Sequence, residues 1–242
     1  MSVKKILHID SRDREAFSIS TTDFHVSYPD SKFLQEISSV SLSTMVLSNT
    51  FFNVSENNNT LSLTLNSVAK VYTIPIGYYS SPTTLMTELN TQMSGDSIVA
   101  TFDTLTSRYT LTHASLNMYV TSDSFLLGFR TMLSANEAKA ITADAILDMR
   151  GVESIYLHCG FLSNRFIDSS RVIKSDVLSV IPMGSNLNFG DTIFYRATTD
   201  ELSAIDVNTN ISSFHVYLTD SQGNAIDNNG LDWQATLVCT AN

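Results

Sequence analysis

Leu231-Asp232-Trp233-Gln234-Ala235-Thr236-Leu237-Val238-Cys239 alternates apolar with polar residues over most of its length. Side chains on a strand point to opposite faces with a period of two. The stretch therefore reads as a strand, with Leu231, Trp233, Ala235, Leu237 and Cys239 inward and Asp232, Gln234 and Thr236 outward. Wound as a helix, the same residues would scatter their apolar side chains around the cylinder and bury no continuous stripe. The one Trp of the chain falls on the inward face, where a large ring is expected to anchor a core.

The same period recurs outward from this stretch. Val40, Leu42, Thr44 and Val46 are expected on one face, with Ser39, Ser41 and Ser43 opposite. Beyond a turn at Glu56-Asn57-Asn58-Asn59, Leu61, Leu63 and Leu65 alternate with Ser62 and Thr64, and Tyr72, Ile74 and Ile76 run to Gly77. Ile98, Ala100 and Phe102 pair with Tyr109 and Leu111 as a hairpin about residues 103–107, and Met118-Tyr119-Val120 adds a short strand. Phe125-Leu126-Leu127-Gly128-Phe129 reads as a buried turn. Ile155, Leu157 and Cys159 share a face, and residues 177–181, apolar on both faces, are expected in a central strand. Residues 192–196 form another strand, and Phe214, Val216 and Leu218 lead into a turn at Asp220-Ser221-Gln222-Gly223.

Two places break the period. Ser80-Ser81-Pro82 offers a cap and a first-turn proline, and Leu85, Met86, Leu89 and Met93 follow at helical spacing, closed by Gly95. Ser134 and Glu137 form a capping-box pattern ahead of an alanine-rich stretch, predicting a short helix or a long loop up to residue 149. About nine or ten strands, without a βαβ rhythm, predict an all-β fold: a single jelly-roll antiparallel β-sandwich with one or two short helices in the connections. With only four prolines and nine glycines, nothing reads as a linker between domains. The expected organisation is an N-terminal arm over residues 1–22 and a single jelly-roll domain over residues 23–242.

Composition narrows the function. The 242 residues carry a net charge of −10, and charged residues are only 16%. An acidic body disfavours direct nucleic-acid binding, which needs clustered Lys and Arg. The basic residues are uneven, with Lys4, Lys5, Arg12 and Arg14 near the start, so that this segment, with Asp13, is the candidate contact to an acidic partner. No run of about 18 apolar residues suits a membrane span. No secretory leader is legible in the first residues, so Cys159 and Cys239 are expected as reduced, buried thiols, and the sequons at Asn53, Asn58 and Asn210 as coincidences.

Catalytic patterns are missing. The five histidines, His8, His25, His113, His158 and His215, show no metal-ligand spacing. His158 and Cys159 are neighbours on a strand and face opposite ways. No nucleophile elbow, phosphate loop or dinucleotide fingerprint occurs. Asp220–Asn224 lacks the distal Glu of a calcium loop, and Asp200, Glu201 and Asp227 are scattered loop acids. No enzyme, metal or cofactor is expected.

A family resemblance spans most of the chain. Ile9-Asp10-Ser11-Arg12-Asp13-Arg14 is followed by Asp23-Phe24-His25-Val26. Ser39-Val40-Ser41-Leu42 then runs to Ser48-Asn49-Thr50-Phe51-Phe52-Asn53-Val54. Tyr72-Thr73-Ile74-Pro75-Ile76-Gly77-Tyr78-Tyr79 leads directly into the helix, and Leu126-Leu127-Gly128-Phe129, residues 151–158 and Asp232-Trp233 close the series. Residues 130–150 and 160–176 carry no matching motif. In this order the text resembles the penton (vertex) capsid proteins of virophages, polinton-like viruses and related large DNA viruses. The resemblance implies a homopentamer at icosahedral five-fold vertices, in a virion assembled inside the host cell. Its implied neighbours are a double-jelly-roll major capsid protein and a minor or cement capsid protein. Lys4, Lys5, Arg12, Asp13 and Arg14 would be the capsid or subunit contacts. Alternatives are another minor capsid or spike-base jelly roll of the same virion, or a β-sandwich ligand- or receptor-binding module. Phe51-Phe52 and Tyr78-Tyr79 are the aromatic pairs such a module could use.

Overall fold

A computed structural model describes residues 3–28, 35–130, 138–162, 166–168, 171–174, 176–184, 187–198, 204–209 and 211–241. Strands β1 (Val3–Asp10), β2 (Asp23–Ser27) and β3 (Ile37–Ser48) open the chain. Then come β4 (Thr60–Leu65), β5 (Val68–Thr73), helix α1 (Pro82–Met93), β6 (Ile98–Asp103), β7 (Arg108–His113), β8 (Met118–Val120) and β9 (Ala140–Thr142). The rest is β10 (Ser154–Cys159), β11 (Phe166–Asp168), β12 (Arg171–Lys174), β13 (Val177–Pro182), β14 (Thr192–Arg196), β15 (Ile205–Thr209), β16 (Ser213–Thr219) and β17 (Gln234–Ala241). The elements fall into two compact units, Met1–Phe51 with Val152–Asn242, and Phe52–Gly151.

The first unit is a sandwich of two antiparallel sheets. One has the order β1-β17-β3-β14, with β15 also pairing to β3; the other has the order β13-β10-β16-β2. Chain-order strands that alternate between two sheets in this pattern make a jelly roll. β11 and β12 form a separate hairpin. Alternation produces the sandwich: in β17 every second residue, from Ala235 to Ala241, is buried, as Phe24 and Val26 are in β2. Trp233 is 1% exposed, meets Phe24 edge-on at 5.6 Å, and donates its indole N–H to the Thr21 carbonyl at 2.7 Å. The buried ring thereby loses no hydrogen bond.

Several expectations change here. Over residues 3–10 the expected arm is a strand. From Val3 opposite Ala241 to Asp10 opposite Gln234, β1 pairs with β17 in unbroken register, and Leu7 and Ile9 are core residues. β1 is the first strand of the jelly roll, because its own apolar alternation needs a sheet to bury it. The single domain over residues 23–242 becomes two units, the second inserted between β3 and β10. In β3, Thr44 opposes Thr236 while Leu42 opposes Leu237, leaving Ser43 as a bulge. One extra residue inverts the alternation. Met45 and Leu47 therefore turn inward, and Val46 turns outward at 37% exposure. β13 is an edge strand, not a central one. Leu231 precedes β17 and is exposed.

The inserted unit has two three-stranded sheets, β5-β4-β8 and β6-β7-β9, with α1 packed on β6. Ser81 caps α1, its hydroxyl accepting from the Thr84 amide at 3.2 Å, with Pro82 at the first helical position. Leu85, Leu89 and Met93 form the buried stripe. Asn90 fastens the helix to β6, accepting from the Ala100 amide at 2.6 Å and donating to its carbonyl at 3.0 Å. The core is built from Leu61, Leu63, Tyr109, Leu111, Val120 and Phe129. At Gly128, φ is +83° and a Cβ would stand 2.3 Å from the Ala145 carbonyl oxygen, so the buried turn admits only glycine. The capping pattern at Ser134–Glu137 lies outside the described residues. Residues 138–149 contain β9 and no helix, and Ile141 joins the core.

Candidate functional site

The charged N-terminal residues divide. Lys4 is exposed and Lys5 half-buried, on alternate faces of β1. Arg12 folds back onto Asp10, with Nε to Oδ1 at 3.0 Å and Nη2 to Oδ2 at 2.5 Å. The Asp10 carboxylate also accepts from the Arg12 amide at 2.9 Å and from Gln234 Nε2 at 2.7 Å. The Arg12 side chain, more than any other group, holds this carboxyl well below the usual range, against the opposing effect of burial. Arg14 Nη1 donates to the Ser11 carbonyl at 2.8 Å and lies 3.4 Å from Asp232 Oδ1. Ser11 donates its hydroxyl to Asp232 at 2.9 Å and accepts from the Trp233 amide at 3.0 Å. These charges therefore tie the end of β1 to the start of β17. Asp13 is exposed in the short turn that follows β1.

A second constellation lies on the outer face of the β13-β10-β16-β2 sheet. His158 of β10, Tyr217 and His215 of β16, and His25 of β2 occupy outward positions, with register pairs His158–Tyr217 and His215–His25. Their rings stack in one row: His158 to Tyr217 at 4.2 Å, Tyr217 to His215 at 4.8 Å, and His215 to His25 at 4.6 Å. Phe17 extends the row, 5.2 Å from His25. Two carboxylates pin it. Asp23 Oδ1 lies 2.6 Å from His215 Nε2, and Asp176 bridges His158 Nδ1 at 2.9 Å and the Tyr217 hydroxyl at 2.6 Å. Burial would raise the Asp176 carboxyl, but the hydrogen bonds from His158 and Tyr217 outweigh it and hold the group below its ordinary value. Burial, reinforced by Asp176, pushes the Tyr217 phenol up. His158 Nε2 meets the Thr219 hydroxyl at 2.9 Å, so both its ring nitrogens are engaged.

Sequence reasoning missed this ladder. Only the spacing of His215 and Tyr217, two apart on one strand, hints at it. The neighbours that complete it come from strands 57 and more residues away, through pairings the sequence does not state.

The inserted unit has a cleft of about 360 Å³ lined in part by Asn53, Tyr78, Tyr79, Pro82, Phe102 and Met149. The Asn53 amide is engaged there, donating to the carbonyls of Tyr79 at 2.9 Å and Met149 at 3.3 Å and accepting from the Tyr79 amide at 2.9 Å. Of the predicted aromatic pairs, Tyr78-Tyr79 borders this cleft, and Phe51 lies in the core of the other unit. Among the described residues no three His, Cys, Asp or Glu side chains gather to hold a metal ion, and no helix is long and apolar enough to cross a membrane. Cys159 and Cys239 are free and buried, and burial pushes the Cys159 thiol up and the Cys239 thiol up to about 11. Neither is a thiolate nucleophile near neutral pH.

The strand order defines a jelly-roll protein with an inserted β unit. No protein-family model and no curated protein matches the sequence. Among solved structures the chain is similar to the mavirus penton protein, with a TM-score of 0.53 and 12% identity over 99% of each chain. It also aligns with a chain of the Sputnik virophage cryo-EM structure, with a TM-score of 0.48 and 12% identity over 98% of this chain and 97% of that one.

Proposed function

We propose that this protein is a structural capsid protein of a virus, and that five copies form a ring at each icosahedral five-fold vertex. The observation that carries the reading is the fold likeness to the mavirus penton protein over 99% of both chains. That likeness spans the inserted unit as well as the sandwich. The ring requires two different contact surfaces on each copy, since a cyclic pentamer is a heterologous contact that closes by rotation. The two outer faces of the sandwich differ in chemistry and meet that requirement. The neighbours in the shell would be a double-jelly-roll major capsid protein and a cement protein within it, in a virion assembled in the infected cell. The role is architectural and needs no catalytic group, cofactor or nucleic-acid contact.

Cryo-electron microscopy of particles assembled with this protein tests the reading. The expected result is density for five copies at each five-fold vertex. Density at other capsid positions, or particles that complete their vertices without it, would overturn the vertex role.

A further inference from the structure

We infer that the ring ladder on the β2-β16-β10 face is the seat for a second copy of this chain, which presents to it the outer face of its own β1-β17-β3-β14 sheet. The inference rests on the reading of the protein as a self-assembling capsid component and names the surfaces that would do the assembling.

The ladder is suited to be a contact surface at its His215, His25 and Phe17 end, while His158, 4% exposed, anchors it from within. Its rings are already stacked and pinned by Asp23 and Asp176. Little side-chain freedom remains to be lost on association, which is where much of the cost of binding lies. Beside it, Phe17 is 71% exposed and Ile19 is 82% exposed. The Ile19 amide donates to the Asp23 carbonyl at 3.1 Å, which holds this apolar loop against the start of β2.

The opposite face has complementary features. Val46 and Phe194 are direct cross-strand partners, Phe194 being 65% exposed. Ile6, paired with Val238, is 68% exposed. An apolar group flanked by polar residues is what a monomer would cover.

Charge decides which face meets which. β2, β16, β10 and β13 contain no Lys or Arg, and their outer face carries Asp23 and Asp176. The other sheet carries Lys4 and Arg196, both exposed, against one exposed acid, Asp206, with Asp10 neutralised by Arg12. Among the described residues neither Lys4 nor Arg196 makes an ion pair. Ladder on ladder would set acids against acids, whereas ladder on the opposite sheet sets acids against cations. The favoured contact is therefore head-to-tail, the type that closes into rings.

The test uses the full chain and sedimentation velocity at a concentration where the wild type runs as five chains. Phe17→Lys damages the ladder face and Phe194→Asp the other, both at exposed positions; Val46→Glu repeats the second lesion should Phe194→Asp fail to fold. Each variant alone is expected to lose the five-chain species, with association weakened roughly tenfold or more. Mixed one to one, each supplies one intact face, so a two-chain species should form without rings. If both variants remain five-chain, or if the mixture yields no two-chain species, the face assignment is overturned while the pentamer reading stands. If Phe17→Lys dissociates and Phe194→Asp does not, the ladder meets a surface other than the β1-β17-β3-β14 face and the inference is again overturned. A wild type with no five-chain species removes the pentamer reading and the inference with it.

Discussion

The jelly roll and its inserted unit are built by opposite routes. In the jelly roll, sheet neighbours are far apart in the chain: β1 pairs with β17, from Val3 opposite Ala241 onward. In the insert, β4 pairs with β5 and β6 with β7, each a hairpin of consecutive strands. The β4–β5 turn is Asn66-Ser67, both at positive φ, 47° and 65°, as a tight hairpin turn requires. Local pairing closes at small entropic cost, while distant pairing must overcome loop closure before any contact repays it. The jelly roll accordingly has a specific knot where its ends meet: Ser11 bonds Trp233 through both backbone and side chain, and Arg12, Asp10 and Gln234 fasten the adjoining pair.

Removing the closing strand gives the largest expected effect. Deletion of residues 1–14 takes away Leu7 and Ile9, each contributing about 1.5–3 kcal/mol by burial, and one of the two strands hydrogen-bonded to β17, which keeps its pairing with β3. Hydrogen exchange should show protection falling across residues 234–241, with residues 60–65 and 108–113 retaining theirs. Equal loss in both units would erase the contrast between them.

Trp233→Ala comes next. Loss of a fully buried ring costs about 3–5 kcal/mol, and the Thr21 carbonyl loses its donor. The decrease in protection should be confined to the jelly roll; a uniform decrease would join the two units into one cooperative block.

Alkali should separate the units by chemistry. Cys159 and Cys239 have raised values in the fold, Cys239 at about 11, and both belong to the jelly roll. A raised folded value contributes stability that is present below the unfolded value and lost as pH rises towards the folded one. Loss in the jelly roll should begin near the unfolded thiol value of about 8.5, whereas the insert, with Tyr72 and Tyr109 raised by burial, should begin near about 10. Acid offers no such contrast. Asp10 and Asp176 in one unit, and Asp96, Asp103 and Asp148 in the other, are all depressed. Their contribution is held above about pH 3.9 and lost as pH falls through the folded values. Thermal melts from about pH 2 to about pH 11, with exchange read separately in each unit, check both limbs.

Ser81→Ala should have the smallest effect, about 1 kcal/mol, by removing the cap of α1. Exchange should rise in the first turn of the helix and nowhere in the jelly roll.

The contrast also explains what the sequence could reveal. Local signals were legible: the alternation of β17, the Ser81-Pro82 start of α1, and the hairpin of Ile98 and Leu111 all stand in the structure. Non-local ones were not. Ser43 looks like its serine neighbours, and only its lack of a partner across β17 makes it a bulge that turns Val46 outward. The charge of Arg14 suggested an outside partner because Asp232, which engages it, comes beside it only once β1 and β17 pair, whereas Asp10, the partner of Arg12, stands two residues away. The ladder was hidden for the same reason, since His25, His158 and His215 meet only through strand pairing.

The central claim is that the jelly roll presents two unlike faces so that copies close into a ring of five. Native mass spectrometry of the full chain tests it most directly. The account predicts a dominant species of five chains; a protein that stays monomeric, or settles as a trimer, contradicts it.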